Sequence, residues 1–303
     1  MVDKSGEAEI RGINIDKLAK GFADEDNILK KFVVNSTTNS REIRWYQKTA
    51  GFLDTATTDD TAISLMYNTA QNARPFITEQ SWTRQTSYVK KFFVESPMIS
   101  EEDIKDSDID VLATNVRDLV RAVERKVDLR IFSILFNCLE ATPTQPLTNG
   151  AVTVQTTAAT DEWDVVATMD PIKDILNGKQ KIRSYGYNPE GSILGMNSVE
   201  HKLLLSYLIN VKGSSIPAFA SQKMESGVVM EILGCRVVVS ENFTTDWVYQ
   251  WVPSRAATWK AFMPISTAVI TEPGIGRKIR VWEEGELLLT DPKSVHVISN
   301  TVT

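Results

Sequence analysis

The run Leu112-Ala-Thr-Asn-Val-Arg-Asp-Leu-Val-Arg-Ala-Val-Glu-Arg-Lys-Val-Asp-Leu-Arg-Ile-Phe-Ser-Ile-Leu-Phe-Asn-Cys138 carries the strongest periodic signal in the chain. Leu112, Val116, Leu119, Val123, Val127, Ile131, Ile134 and Cys138 recur at steps of three and four. That spacing stacks side chains on one face of an α-helix. Just before it, Ser100-Glu-Glu-Asp-Ile-Lys-Asp-Ser-Asp-Ile-Asp110 gathers acids that suit the positive end of a helix dipole. Ser100 and Asp103 loosely fit a capping-box spacing. Pro143 and Pro146 end the pattern, since proline has no N–H to donate. The spacing predicts an amphipathic helix over about 108–140, roughly 45 Å long at ~1.5 Å per residue. Its polar face carries Arg117, Arg121, Glu124, Arg125, Asp128 and Arg130, more arginine than solubility requires. A helix of this length with no heptad partner in the chain reads as the backbone of a flat domain.

Upstream, residues 1–62 read as a poorly packed arm. Short helical pieces are expected around Ile15–Lys20 and Asn27–Val34, then a polar turn over Asn35–Ser40. Trp45, Tyr46, Phe52 and Leu53 add apolar anchors without a period of their own. From Arg74 to Ser96, β-formers with partial alternation predict a long two-stranded hairpin. A lone hairpin is marginal in water, so one that projects needs a partner's surface. Two readings stay open for Trp82, packing within the hairpin or a contact between subunits.

Downstream, a second helix is expected from about Asp164 through Ile182, and a buried strand over Ser192–Asn197. Ser198 is placed to cap a third helix over Val199–Ile209. Lys212–Ser221 has the composition of a loop. Strands follow at Val228–Leu233, Arg236–Ser240, Trp247–Trp251, Thr258–Met263, Ala268–Thr271, Lys278–Glu283, Leu287–Thr290 and Ser294–Ser299. Helices come early and strands late without a βαβ rhythm, which defines an α+β class.

Chemistry is hard to find. The chain has 303 residues, 42% hydrophobic and 24% charged, a globular composition. No apolar window is long enough for a membrane helix, and the first residues lack the apolar core of an export signal. Cys138 and Cys235 sit in apolar surroundings and read as buried reduced thiols of a protein folded in a reducing cytosol. Net charge is −6, with 33 basic residues scattered along the chain. Tight binding of nucleic acid needs a basic stripe that neutralises phosphates; an acidic wall is compatible with enclosing a polyanion. His201 and His296 lack any surrounding motif and read as structural imidazoles. Asp106-Ser-Asp-Ile-Asp fails as a calcium loop, because Val111 and Arg117 stand where Gly and Glu are needed. Pro273-Gly-Ile-Gly-Arg-Lys lacks phosphate-loop spacing and reads as a turn between strands. Glu283, Glu284 and Glu286 are expected at a strand turn as solvated charge. No catalytic constellation, metal site or cofactor site emerges, and the chain is expected not to be an enzyme.

Several stretches resemble the tailed-bacteriophage major capsid protein, the Hong Kong 97-like fold. They are Val89-Lys-Lys-Phe-Phe-Val-Glu-Ser-Pro-Met-Ile-Ser-Glu-Glu, Arg121-Ala-Val-Glu-Arg-Lys-Val-Asp-Leu-Arg-Ile-Phe and Tyr185-Gly-Tyr-Asn-Pro-Glu-Gly-Ser-Ile-Leu-Gly-Met-Asn-Ser-Val-Glu-His-Lys-Leu-Leu. Two more follow, Leu233-Gly-Cys-Arg-Val-Val-Val-Ser-Glu-Asn and Arg280-Val-Trp-Glu-Glu-Gly-Glu-Leu-Leu-Leu-Thr-Asp-Pro-Lys-Ser-Val-His-Val-Ile. Each is degenerate; their order carries the resemblance.

That resemblance implies an N-terminal arm (1–62), an extended E-loop hairpin (63–100) and a P-domain built on the spine helix (101–189). It further implies an A-domain (190–268) and closing P-domain strands (269–303). It implies pentamers and hexamers in an icosahedral shell around double-stranded DNA, formed in the host cytoplasm and located in the virion. An arm of this length implies a separate scaffold protein, and a portal is a further expected partner. Trp82, Arg84, Tyr88, Lys90, Lys91, Arg117, Arg121 and Arg125 are the expected interface residues. No motif carries over the family's Lys–Asn crosslink. The rival expectations are an encapsulin-type nanocompartment shell or another virion structural protein.

Overall fold

The computed structural model describes residues 29–50, 81–106, 111–136, 154–210, 231–253 and 255–302. The polypeptide forms two sheets, a separate ribbon and the helices packed on them. After a 3-10 turn at Leu29–Phe32 come β1 (Val34–Thr37) and β2 (Glu42–Ala50), then β3 (Ser81–Tyr88), β4 (Lys90–Glu95) and β5 (Ile99–Ser100). Two helices follow, α1 (Glu101–Asp106) and α2 (Val111–Phe136), then β6 (Gln155–Ala158), α3 (Pro171–Ser184), β7 (Ile193–Met196) and α4 (Ser198–Asn210). The remainder is strands: β8 (Glu231–Ile232), β9 (Cys235–Val239), β10 (Trp247–Trp251), β11 (Ala257–Glu272), β12 (Gly276–Leu289) and β13 (Val295–Ser299).

The first sheet is ordered β1-β11-β12-β4, with β5 also on β12. The second is ordered β6-β13-β10-β7-β9-β8. The α+β expectation holds, and so does the long helix. It spans 26 residues, about 39 Å at ~1.5 Å per residue. Ser100 does cap a helix, since Asp103 N–H donates to its Oγ at 3.0 Å. That helix is α1, however, so the clustered acids start a separate short element.

The apolar stripe of α2 is partly buried at Val116 and Leu119 and fully buried from Val123 onward. Val123 meets Ile279 and Val281 of β12, with Ile99 beside them. Val127, Ile131, Leu135 and Phe136 enter the principal core with Trp251, Trp259, Leu287 and Leu289. The second sheet is buried on both faces, and period-two alternation sorts its residues. Ile193, Tyr249, Trp251, Val295 and Val297 face the principal core. Leu194, Met196, Val248 and Ile298 face a second core that includes Trp163, Ile175, Leu204 and Tyr207. Covering both faces explains why β7 and β13 read as nearly continuous apolar runs.

Several sequence expectations are corrected. The hairpin expected within 74–96 does not form, because β3 pairs with β2, antiparallel from Glu42↔Tyr88 to Ala50↔Ser81. β4 instead pairs with β12. The β-formers marked the strands but could not choose their partners, and Tyr88–Lys90 only passes the chain from ribbon to sheet. Part of the expected arm is core: Leu29 and Val33 are buried in the principal cluster, and β1 pairs in parallel with β11. The second helix starts at Pro171, not near Asp164. Asp170 accepts from Lys173 N–H at 3.3 Å, and a proline is tolerated only in the first turn. Asn197, one residue before Ser198, caps α4 by accepting from Val199 N–H at 3.3 Å.

The four strands expected within 258–290 fuse into the two of one long hairpin. Its register shifts fall between Ala261 and Ser266, around Pro264, which cannot donate to a ladder. Two glycines are fixed by close approach. A Cβ at Gly276 would lie 2.1 Å from the Ile99 carbonyl oxygen, and one at Gly285 would lie 2.4 Å from the Trp259 ring. Cys138 and the loop expected at Lys212–Ser221 lie outside the described residues.

Ile131→Ala, at the centre of the helix stripe, should lower stability by about 2–5 kcal/mol. Urea unfolding checks this as a lower midpoint at unchanged slope.

Candidate assembly surfaces and the charges beneath them

The β2–β3 ribbon is two-faced. Ile43, Trp45, Gln47 and Gln85 are buried. Trp45 Nε1 and Gln47 Nε2 both donate to the Leu289 carbonyl, at 3.0 and 2.7 Å, and Gln85 Nε2 donates to Gln47 Oε1 at 3.2 Å. This face is tied to the end of β12. The opposite face carries Arg44, Tyr46, Arg84 and Tyr88 outward, with Tyr46 directly across from Arg84 and Glu42 across from Tyr88. Tyr46 and Tyr88 are each 60% exposed. Tyr and Arg are enriched at protein interfaces, where a rigid ring and a planar cation bury large area at low entropic cost.

Beneath α2 lies a set of charges that the sequence suggested were solvated. Glu283, Glu284 and Glu286 sit within β12 and are buried, Glu283 and Glu286 completely. The turn expected at Glu-Glu-Gly-Glu does not exist, and Gly285 is there to admit the Trp259 ring. Arg130 donates to Glu286 through two nitrogens, Nε to Oε1 and Nη2 to Oε2, both at 3.0 Å. Burial pushes the Glu286 carboxyl up, with the Arg130 hydrogen bonds opposing. Lys30 pairs with Glu283, and Lys91 lies 3.5 Å from Glu284. Asp128, placed by periodicity on the polar face, is buried. Its oxygens accept from Leu29 N–H at 3.1 Å and Lys30 N–H at 3.2 Å.

The second sheet holds a polar pocket under α3. His296 Nε2 is 3.1 Å from Thr157 Oγ1. Gln250 Nε2 donates to Ser192 Oγ at 3.3 Å and to Cys235 Sγ at 3.4 Å. Cys235 is free and buried, as expected. Gly178 is required above this group, since a Cβ there would lie 2.3 Å from Gln250 Oε1. Burial, and to a lesser degree Lys181, pushes the His296 pKa down to about 4. Among the described residues no group of three His, Cys, Asp or Glu side chains could hold a metal ion, and no helix is long and apolar enough to cross a membrane.

The expected interface residues scatter. Arg84 and Tyr88 share the outer ribbon face. Trp82 stands opposite Lys48 in register. Lys90 and Lys91 belong to β4, where Lys91 is engaged with Glu284 and lies 5.2 Å from the Phe93 ring centroid. Arg117 lies 3.6 Å from Asp118. Arg121 is half-buried and Arg125 exposed on α2. Arg44 and Tyr46 complete the ribbon patch and were missed, because their period-two alternation is legible only once Glu42–Ala50 is known to be a strand.

A long helix laid across a sheet with an extended hairpin, a second two-faced sheet carrying its own helices, and a ribbon beside them define the Hong Kong 97-like capsid fold. Solved structures share it. The capsid of a native GTA particle matches with a TM-score of 0.66 at 10% identity, covering 99% of this chain and 100% of that one. The mature capsid of bacteriophage PhiM1 matches at 0.65 and 13%, covering 95% and 90%. Mycobacterium phage Che8 matches at 0.62 and 15%, covering 96% and 99%. No curated sequence relative matches the chain. The model of the phage capsid protein family matches residues 98–292, well over half of the chain. The chain belongs to that family, and it is a major capsid protein of the phage head.

Two measurements probe the buried charges. Arg130→Met strands the Glu286 carboxylate and should cost about 3–5 kcal/mol in unfolding free energy. For His296 the folded pKa lies below the unfolded value of about 6.5, so the unfolded chain takes the proton first as pH falls. Its contribution is fully present above about pH 6.5 and is lost toward pH 4, up to about 3 kcal/mol. Thermal unfolding across that window should show the loss, and His296→Gln should flatten it.

Proposed function

We propose that the chain builds an icosahedral shell of pentamers and hexamers around double-stranded DNA, and that the outward Tyr/Arg face of the β2–β3 ribbon is the contact each copy makes with its neighbour. One observation carries the ribbon's role. Its inner face is tied to Leu289, while Tyr46 and Tyr88 on the other face are each 60% exposed among the described residues. Identical copies joined head to tail close into rings when the rotation allows. Fold membership at high coverage supports the shell.

In this reading the E-loop includes the ribbon strands Glu42–Ala50 and Ser81–Tyr88, while Lys90–Glu95 and Ile99–Ser100 of the expected 63–100 segment belong to the P-domain sheet. The P-domain comprises α2 and the first sheet; the A-domain is carried by the second sheet with α3 and α4. The spine residues Arg121 and Arg125, and Arg117 beside them, are proposed as secondary contacts, as are Trp82, Lys90 and Lys91. An acidic chain, net −6, encloses DNA without gripping it. The role is structural rather than catalytic: the buried Glu283, Glu284 and Glu286 carboxylates are matched to Lys30, Lys91 and Arg130 as ion pairs. Assembly takes place in the host cytoplasm, with a separate scaffold protein and a portal as partners.

The combined change Tyr46→Ser and Arg84→Glu should leave the subunit within about 0.5 kcal/mol of wild type, as surface substitutions do. It should abolish closed particles in negative-stain microscopy. Normal shells from this variant would remove the ribbon from the assembly contact. Shells packed with protein cargo from the native host, in place of DNA, would favour the nanocompartment reading.

A further inference from the structure

We propose that residues 29–33 form an internal clamp that locks α2 to β12, because they deliver the counter-charge to a carboxylate sealed inside the subunit. Glu283 is completely buried in the middle of β12. One of its oxygens takes the Lys30 ammonium, and the other has no hydrogen-bond partner. Lys30 comes from a segment more than 250 residues earlier in sequence, and the position of that segment is set by the helix. The Asp128 carboxylate receives the backbone N–H groups of both Leu29 and Lys30. Lys30 also lies 5.8 Å from the centroid of the buried Trp259 ring, while Leu29 and Val33 fill the principal core on either side.

Three elements therefore share one charge balance: the clamp segment, α2 through Asp128, and β12 through Glu283. Such an arrangement is bistable. With the clamp seated, every charge in the set faces an opposite charge or a hydrogen-bond donor. With it withdrawn, Glu283 and Asp128 remain in the interior without those partners, and a buried charge stripped of its partner is strongly unfavourable. A half-withdrawn segment loses the ion pair before water can reach the carboxylate. The clamp should thus open as a unit, loosening α2 from β12 while the second core beneath α3 and α4 stays closed. Because the chain continues from Leu29 towards its N-terminus, tension on that side is delivered to the helix–strand contact at the heart of the subunit.

Native-state amide hydrogen exchange on the full-length chain tests the proposal, using wild type, Glu283→Gln, Lys30→Met and the double variant. Amides of Val34–Thr37 should exchange through a partial opening that Glu283→Gln accelerates about tenfold, the lower end of what a hydrogen bond to a charged group contributes. Amides of Leu204–Leu208 in α4, which packs in the second core, should stay at their wild-type rates. Lys30→Met should accelerate the opening further, and adding Glu283→Gln to it should slow exchange again by removing the stranded charge. The proposal is overturned if Glu283→Gln leaves Val34–Thr37 unchanged, or if both regions accelerate equally. It is also overturned if Lys30→Met has the same effect in both backgrounds. Should Lys30→Met fail to fold, restored folding in the double variant supports the clamp, and continued failure overturns it.

Discussion

The contact between α2 and β12 is the constraint that every other part of the subunit must meet. Its apolar rows supply most of the favourable energy, Val123 against Ile279 and Val281, then Ile131 and Leu135 among Leu287, Leu289 and Trp259. Apolar packing tolerates sliding; ion pairs do not. Arg130 meets Glu286 with two parallel hydrogen bonds, a geometry that fixes both position and angle. A slip of one helical turn, about 5.4 Å, would strand Glu286 in the interior. The buried charges fix register, at the cost of desolvation.

A fixed register lets the long elements act as levers. β12 continues from the Gly276 end of the hairpin, past the helix, to Leu289, whose carbonyl anchors Trp45 and Gln47 of the ribbon. A displacement of the helix is therefore passed to the ribbon through one strand. The second sheet shares the principal core through Tyr249, Trp251 and Val297, and on its other face carries a core of its own beneath α3 and α4.

Much of the fold was legible in the sequence. The 3.6-residue period of α2, the all-apolar strand at Ile193–Met196 and the strand at Trp247–Trp251 are signals written within one element. Reading failed where a residue's environment is made by distant chain. Glu283, Glu284 and Glu286 look like a solvated charge run in any short window, yet their cations arrive from Lys30, Lys91 and Arg130. Asp128 looks like part of a polar helix face until Leu29 and Lys30 come to lie on it. The hairpin expected within 74–96 had the right composition and the wrong partner, because β propensity identifies strands without saying which strands pair.

Alone, then, the amino-acid order determined the long helix and its apolar face, most of the later strands, and the α+β order of parts, since these depend on neighbours within a few residues. Only the tertiary structure decided that β2 pairs with β3, that Leu29 and Val33 of the expected arm lie in the core, and that three glutamates are buried counter-ions. Pairing and charge compensation are settled by contacts between residues as much as 253 positions apart, and no local pattern encodes which distant partner will be there.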